Sequence, residues 1–339
     1  MSKVSIREEL RSKWQAAAEA GSAGTEWRAI ALSLAAPVKL LAGIREPDAR
    51  IALLLETPLS TAPRTVLRTQ SEAVSLTDQR RQEEGLMRLA ITLERDESMD
   101  VFEVLVADLA EVASNTTSPQ FAIAAILRRL EAWQACLRSH RRGLSREEQI
   151  GLLGELAILR LVAEEVGLSH AVASWKGPLD AIHDFSHAGT ALEVKAVLGA
   201  GSHLRISRLN QLETEGLNRL LVVRPRFCES PDGPTIADLI ASLRTVITQQ
   251  APEVRSDFDE LLIRAGVRDT SPDVDQLLRA ELENILAYDV RDQFPRLTFG
   301  SVPIGIVDGT YIVDERAVAS FCIDQTELRK IVRATVEGA

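Results

Sequence analysis

Asp184, Glu193 and Lys195 lie within residues 175–211, WKGPLDAIHDFSHAGTALEVKAVLGAGSHLRISRLNQ. IHDFS and ALEVKAV have strand-like patterning and are joined through HAGT. With an even loop, either Ala188-Gly189 alone or residues 187–190, Ser186 faces Ala191 and Asp184 falls opposite Glu193. Directly opposed residues share a sheet face, with Cβ atoms about 4.5–5.5 Å apart. Strand alternation sets Lys195 on that same outward face and sends Phe185, Leu192, Val194 and Ala196 to the other, where a core would take them. An odd loop would shift the register and break the arrangement. Two opposed carboxylates repel; a divalent cation between them turns repulsion into ligation. Hard oxygen ligands suit Mg²⁺, with Mn²⁺ as a substitute, bound through one or two carboxylates plus water and a substrate phosphate. Such an ion polarises a phosphoryl oxygen and activates water. Lys195 could orient the attacking water, help deprotonate it, or balance charge on phosphorus.

A fourth residue comes from the preceding helix. Ser145 caps REEQIGLLGELAILRLVAEEVG, and Glu148 three residues on completes a capping-box pattern. Inside it, Glu155 has Gly151, Leu152, Ile158 and Leu159 as its neighbours three and four residues away. A carboxylate on an apolar face is costly unless it is paired or faces a cation. A buried salt bridge to an arginine is the plain alternative; a place in the site, as a third metal ligand or a water-orienting acid, is the reading favoured here.

Pro178-Leu179-Asp180 offers another acid. Asp180 would lie roughly 13 Å further along the strand from Asp184, at about 3.3 Å per residue, too far to share an ion with Glu193. His183 should face away from Asp184. Ser207 could cap a helix.

Around this stretch the chain reads as three parts. Residues 5–20 form a helix capped by Ser5. VKLLAGI, ARIALLLET, RTVLRTQ, LMRLAITLE and VFEVLVADL read as strands broken by Pro, Asp and Gly, giving a β-rich accessory domain over residues 1–115. ASNTTSPQ is the linker candidate. The central part, 118–228, opens with a helix from Pro119 to about Arg138 and holds the hairpin, a further strand HLRIS, a helix RLNQLETEGL and a buried strand LNRLLVVRPRF. Residues 229–339 read as mostly helical, from TIADLIASLRTVITQQ through SDFDELLIRAG to a helix starting at Ser271-Pro272 and running through AELENILAYDV. IGIVDGTYIVD reads as a hairpin turning at Asp308-Gly309, and VASFCIDQTELRKIV as a strand and a helix.

The 339 residues carry 45% hydrophobic and 26% charged side chains, an ordinary globular balance. The charged N-terminus lacks a signal-peptide core and no run approaches a membrane span, so a cytoplasmic protein is expected. Cys136, Cys228 and Cys322 are scattered and suggest neither zinc nor a disulfide framework. Net charge is −10, which argues against a general nucleic-acid coat. Locally, residues 128–146 carry six arginines against Glu131, and such a patch could meet phosphates. The acidic C-terminal region points to protein partners or self-association. No glycine loop with lysine implies an ATPase.

The order helix with Glu155, strand with Asp184, strand with Glu193-x-Lys195 resembles the PD-(D/E)XK nuclease superfamily. More narrowly, WKGP…HDF…LEVK…ISRLNQLE is similar to a largely uncharacterised bacterial family of that type linked to restriction and phage defence. The resemblance implies an α+β or α/β core in the order α-β-β-β-α-β, with Asp184 and Glu193 as metal ligands, Lys195 as catalytic lysine and Glu155 completing the site. Ser207 and Gln211 match polar positions of the similar family, where they could bind phosphate or the attacking water. The resemblance further implies a Mg²⁺-dependent endonuclease acting on DNA, within a defence system whose other proteins would be partners. A second reading is a non-catalytic nuclease-fold subunit that scaffolds or binds DNA.

Overall fold

The structure, a computed structural model, describes residues 3–20, 26–64, 66, 69–70, 73–139, 144–267 and 278–337. These fall into two compact units: one holds the described residues through 139, the other those from 144 onward. The expected three-part division gives way in two places. The helix after residue 118 belongs with the N-terminal sheet, and the C-terminal region shares one unit with the hairpin.

The first unit opens with α1 (Lys3–Glu19), which starts before Ser5, so Ser5 is not its cap. Six strands follow: β1 (Trp27–Ala31), β2 (Lys39–Arg45), β3 (Arg50–Pro58), β4 (Thr69–Gln70), β5 (Val74–Arg81) and β6 (Leu86–Leu93). All pair antiparallel in the order β1-β2-β3-β6-β5-β4. Only the end of the expected RTVLRTQ strand is found, as β4; part of that run lies outside the described residues. VFEVLVADL is no strand. It forms α2 (Met99–Ser114), whose eleven buried residues include Val104, Leu105, Val106 and Leu109. A run buried on all sides loses its periodicity, and here its length favours helix over its β-branched content. ASNTTSPQ joins α2 to α3 (Pro119–Ser139) inside this unit and is not an interdomain linker.

Two arginines of residues 128–146 have acidic partners within their own units. Arg129 is buried beside Asp108 at 3.8 Å, and Arg146 pairs with Glu229 at 2.8 Å in the second unit. Arg141 and Arg142 lie outside the described residues.

The second unit begins with α4 (Arg146–Val166), capped by Ser145, whose hydroxyl accepts from Glu148 N while the Glu148 carboxylate accepts from Ser145 N. Next come α5 (Leu168–Ser174), β7 (Phe185–His187), β8 (Thr190–Val194), β9 (Val197–Leu198), β10 (His203–Ile206) and β11 (Arg219–Glu229). After these lie α6 (Ile236–Gln250), α7 (Arg255–Arg264), β12 (Ala280–Asp289), β13 (Tyr311–Asp314), β14 (Cys322–Ile323) and α8 (Gln325–Glu337). The main sheet runs β14-β12-β11-β8-β7, with β9 also on β11. Strand β11 is parallel to β8 and antiparallel to β12.

Several expectations are corrected here. AELENILAYD is strand β12, not helix, because pairing along the length of β11 outweighs its Ala, Glu and Leu content. The proposed helix start at Ser271-Pro272 lies outside the described residues. IGIVDGTYIVD is no hairpin: only Tyr311–Asp314 is extended, and it pairs with β10 in a separate two-stranded sheet. RLNQLETEGL contributes a single short turn at Leu209–Leu212. The chain is thus α+β; the segment expected as third strand, HLRIS, pairs outside the main sheet as β10, and the segment expected as second helix is only a short turn.

Both faces of the sheet are covered. Leu192, Val194, Leu221 and Val223 pack with Leu156, Leu159, Ile240, Phe258 and Leu328 from the helices. Ala191, Leu220 and Val222 pack on the opposite face with Leu204, Ile206, Val313 and Val318. Alternate residues of LLVV therefore enter two cores, which explains an unbroken apolar run in the central strand.

Candidate active site

The hairpin has the two-residue loop Ala188-Gly189, and its register pairs Phe185 with Leu192 and Ser186 with Ala191. Both loop residues have positive φ, 46° and 79°, the backbone of a tight hairpin turn. Extending the register one step sets Asp184 against Glu193. Strand β7 itself starts at Phe185, and side-chain chemistry continues the pairing: Asp184 Oδ2 accepts from Val194 N at 2.6 Å. The Asp184 carbonyl accepts from Lys176 N and Gly177 N at 2.7 and 3.0 Å, which ties the residue to WKGP.

The acids are not on an open outward face. Glu193 is 2% exposed, because β10, β13 and the segments around them cover that side of the sheet. Its Oε1 lies 2.7 Å from Lys195 Nζ, and its Oε2 is buried without a hydrogen-bond partner. Lys195 Nζ also lies 3.4 Å from Gln211 Oε1.

Glu155 reaches this point from the helix layer because α4 comes very close to the chain just past β8. A Cβ on Gly154 would lie 2.5 Å from that of Ala196, so only glycine permits the approach. Glu155 Oε2 then accepts from Trp175 Nε1 at 2.6 Å. The Trp175 indole is fully buried, its ring centroid 6.1 Å from that of Phe258. Gly177 brings Glu155 and Asp184 together: a Cβ there would meet Glu155 Oε2 at 2.6 Å and Asp184 Oδ1 at 3.0 Å. All four expected site residues therefore converge.

Three carboxyl groups and one ammonium in a water-poor setting leave an excess of negative charge. Burial, reinforced by the Asp184 charge, pushes the Glu155 carboxyl up to about 8. Burial, again with Asp184 as the next cause, pushes Glu193 up to about 8. Burial also raises Asp184, against the opposing Val194 N–H. The cluster would be relieved by a cation.

Among the described residues, no group of three or more His, Cys, Asp or Glu side chains is gathered closely enough to hold an ion by itself. The donors present nevertheless fit an oxygen-seeking divalent cation: the unpartnered Glu193 Oε2 and the Asp184 carboxylate would supply two ligands, with water and substrate oxygens completing the shell, as is usual for Mg²⁺. Glu155, held by Trp175, stands beside this pair rather than closing a three-ligand cage.

Other candidates have different surroundings. Asp180 has φ 56° and pairs on the surface with Arg208 at 2.5 Å. His183 Nε2 lies 3.1 Å from the Gln211 carbonyl oxygen, and burial lowers its pKa. Gln211 Oε1 accepts from Ser207 N at 2.7 Å and from Arg208 N at 3.3 Å. The turn is thus capped by the Gln211 side chain, and Ser207 contributes its backbone rather than its hydroxyl.

A family model described as "Putative PD-(D/E)XK family member, (DUF4420)" matches residues 9–315. The chain belongs to this family. Members of the wider PD-(D/E)XK superfamily are nucleases that typically use divalent metals, and the α+β fold is consistent with theirs. No curated protein and no solved structure matches the chain. Among the described residues, no helix is long and apolar enough to cross a membrane.

Two residues of this candidate site escaped the sequence reading, Trp175 and Gly177, although both sit in the WKGP motif. A glycine between an indole and a short hairpin was the available signal. Gly177→Ala is expected to force Glu155 and Asp184 apart and weaken Mg²⁺ or Mn²⁺ binding by about tenfold or more, a typical cost for disturbing residues that orient metal ligands. Calorimetric titration with Mn²⁺ checks this; an unchanged affinity would remove Gly177 from the site.

Proposed function

We propose that the protein is a metal-dependent endonuclease that hydrolyses DNA phosphodiester bonds, with Mg²⁺ as cofactor and Mn²⁺ as substitute. The observation that carries this reading is the buried, unpartnered Glu193 oxygen beside Asp184 and Lys195. A scaffold would gain nothing from such a group, since an unsatisfied buried carboxylate oxygen costs stability. The cation, when bound, supplies Lewis-acid polarisation of the phosphate and a more acidic water.

Asp184 and Glu193 hold the cation. Val194 N fixes one Asp184 oxygen and leaves the other turned toward Gly177 and Glu155. Lys195, held between Glu193 and Gln211, presents its ammonium to the attacking water and to the charge that grows on the phosphoryl oxygens; preorganised charge of this kind supplies much of a nuclease's rate. Glu155 is suited to orient the water, and with its proton affinity lowered again by a bound cation it would accept a proton near neutral pH. A role in restriction or phage defence, in the cytoplasm and with partner proteins of such a system, fits the family's association and is part of the same proposal.

The test is incubation of purified protein with plasmid DNA in Mg²⁺, in Mn²⁺ and in EDTA, alongside Lys195→Ala. Cleavage is expected in either metal, none in EDTA, and a loss of about 10²–10³-fold or more for Lys195→Ala, the scale of removing one charge-stabilising group. Cleavage that survives chelation or the substitution would refute the mechanism. A folded protein that binds DNA and never cuts it would instead favour the scaffold reading.

A further inference from the structure

The acid that the site does not use, Asp180, sits at its edge, and its partner has an unusual position. Arg208 lies one residue after Ser207 in the turn whose Gln211 touches Lys195. The Arg208 side chain is 43% exposed and its guanidinium meets Asp180 at 2.5 Å, while the Asp180 side chain is 83% exposed. Arg208 also interacts electrostatically with Asp308 and with the metal-binding candidate Glu193. Asp308 holds its own place by accepting from Leu209 N at 3.2 Å and Gly309 N at 2.8 Å. Asp180, by contrast, ends a single turn in the left-handed region, φ 56°, so the carboxylate is presented from a loop.

A guanidinium binds a carboxylate and a phosphate through the same planar fork. An exposed ion pair is weak and easily exchanged. Arg208 is partly exposed and close enough to Glu193 for their charges to interact, so a strand entering the site would bring its next phosphate within reach.

We infer that Arg208 is a phosphate-binding residue for the DNA backbone beside the scissile bond, and that Asp180 occupies it as an internal stand-in which the substrate phosphate displaces. This rests on the endonuclease reading and adds to it a contact and a competitor. It also accounts for a second acid within four residues of Asp184 that makes no contact with the cluster. In the free protein the pair neutralises the arginine; in the complex Arg208 turns to phosphate and Asp180 is left to solvent.

The experiment measures binding rather than cleavage. Full-length protein is titrated against a fluorescently labelled 20-base-pair duplex with Ca²⁺ replacing Mg²⁺, over a series of salt concentrations, for wild type, Asp180→Asn, Arg208→Ala and the double variant. Asparagine suits the left-handed backbone at 180 and removes only the charge. Asp180→Asn should tighten binding about 2- to 5-fold, the scale of one exposed ion pair. Arg208→Ala should weaken it about 5- to 10-fold and lower the slope of log Kd against log salt by about one, as the loss of a single phosphate contact does. Asp180→Asn should have no effect once Arg208 is alanine, which isolates the coupling between them. If the pair only braces two loops, Asp180→Asn will leave binding unchanged or weaken it, and the inference fails. If wild type and Arg208→Ala bind alike while plasmid cleavage persists, the inference fails and the nuclease reading stands. If wild type binds no duplex at all, DNA as the substrate fails with it.

Discussion

Glu193→Gln is expected to abolish DNA cleavage, by about 10³-fold or more, in a protein that still folds and still binds DNA. Glu193 is the most enclosed of the three acids, and its Oε2 has no other partner. Glutamine keeps the shape and an oxygen for Lys195 but removes the charge that would hold the cation. Loss of both metal polarisation and the activated water affects the transition state far more than substrate binding. The effect should therefore appear in kcat rather than in DNA affinity, with Mn²⁺ binding weakened in parallel. Plasmid nicking over several hours, together with Mn²⁺ titration, measures both. Cleavage within tenfold of wild type would show that Glu193 is a structural acid and the site lies elsewhere.

A second large effect is expected on stability. In metal-free protein, burial reinforced by the Asp184 charge pushes Glu155 and Glu193 up to about 8, whereas an unfolded glutamate titrates near 4.3. Between those values the folded protein binds more protons than the unfolded chain, so stability falls as pH rises. The fall begins near pH 4–5, continues to about 8 and levels off above. One such proton corresponds to about 1.4 kcal/mol per pH unit. A loss on the order of 2 kcal/mol between pH 6 and 8 is the expected scale. That is several degrees in Tm for a unit of about this size.

Two changes should reduce this slope. A divalent cation stabilises the ionised site and raises Tm at pH 8. Glu155→Gln deletes one buried charge while its amide oxygen still accepts the Trp175 N–H. In EDTA that variant should melt several degrees above wild type at pH 8 and close to it at pH 5. Thermal unfolding at pH 5, 6, 7 and 8, with and without Mg²⁺, tests all three statements. A flat profile in EDTA would mean that the acids are neutralised by something other than protons or metal. A stabilised variant that no longer cuts DNA would show stability exchanged for function at this cluster.

The hairpin register, and with it the neighbours of Glu193, was legible in the sequence on the condition of an even loop, which the structure supplies as Ala188-Gly189. A side-chain period of two and a two-residue loop leave Asp184 no other place once Phe185, Leu192 and Val194 enter a core. The capping box at Ser145 and Glu148 was legible for the same reason: its hydrogen bonds are local. So was the oddity of Glu155, a charge set among apolar helical neighbours.

Tertiary structure decided what depends on distant partners. AELENILAYD has the composition of a helix and becomes a strand because β11 offers it nine residues of pairing. VFEVLVADL has the composition of a strand and becomes a helix buried on nearly every side. The hairpin expected at Asp308-Gly309 yields to pairing of Tyr311–Asp314 with His203–Ile206, about a hundred residues earlier. The burial of the acids was hidden too, since a sheet face is open or closed according to what packs on it, here the β10–β13 pair. The contacts that bring Glu155 to Asp184, a glycine edge at 177 and an indole at 175, join three segments. Local propensity and periodicity act over a few residues, whereas this site is assembled from side chains up to 56 positions apart, from Glu155 to Gln211.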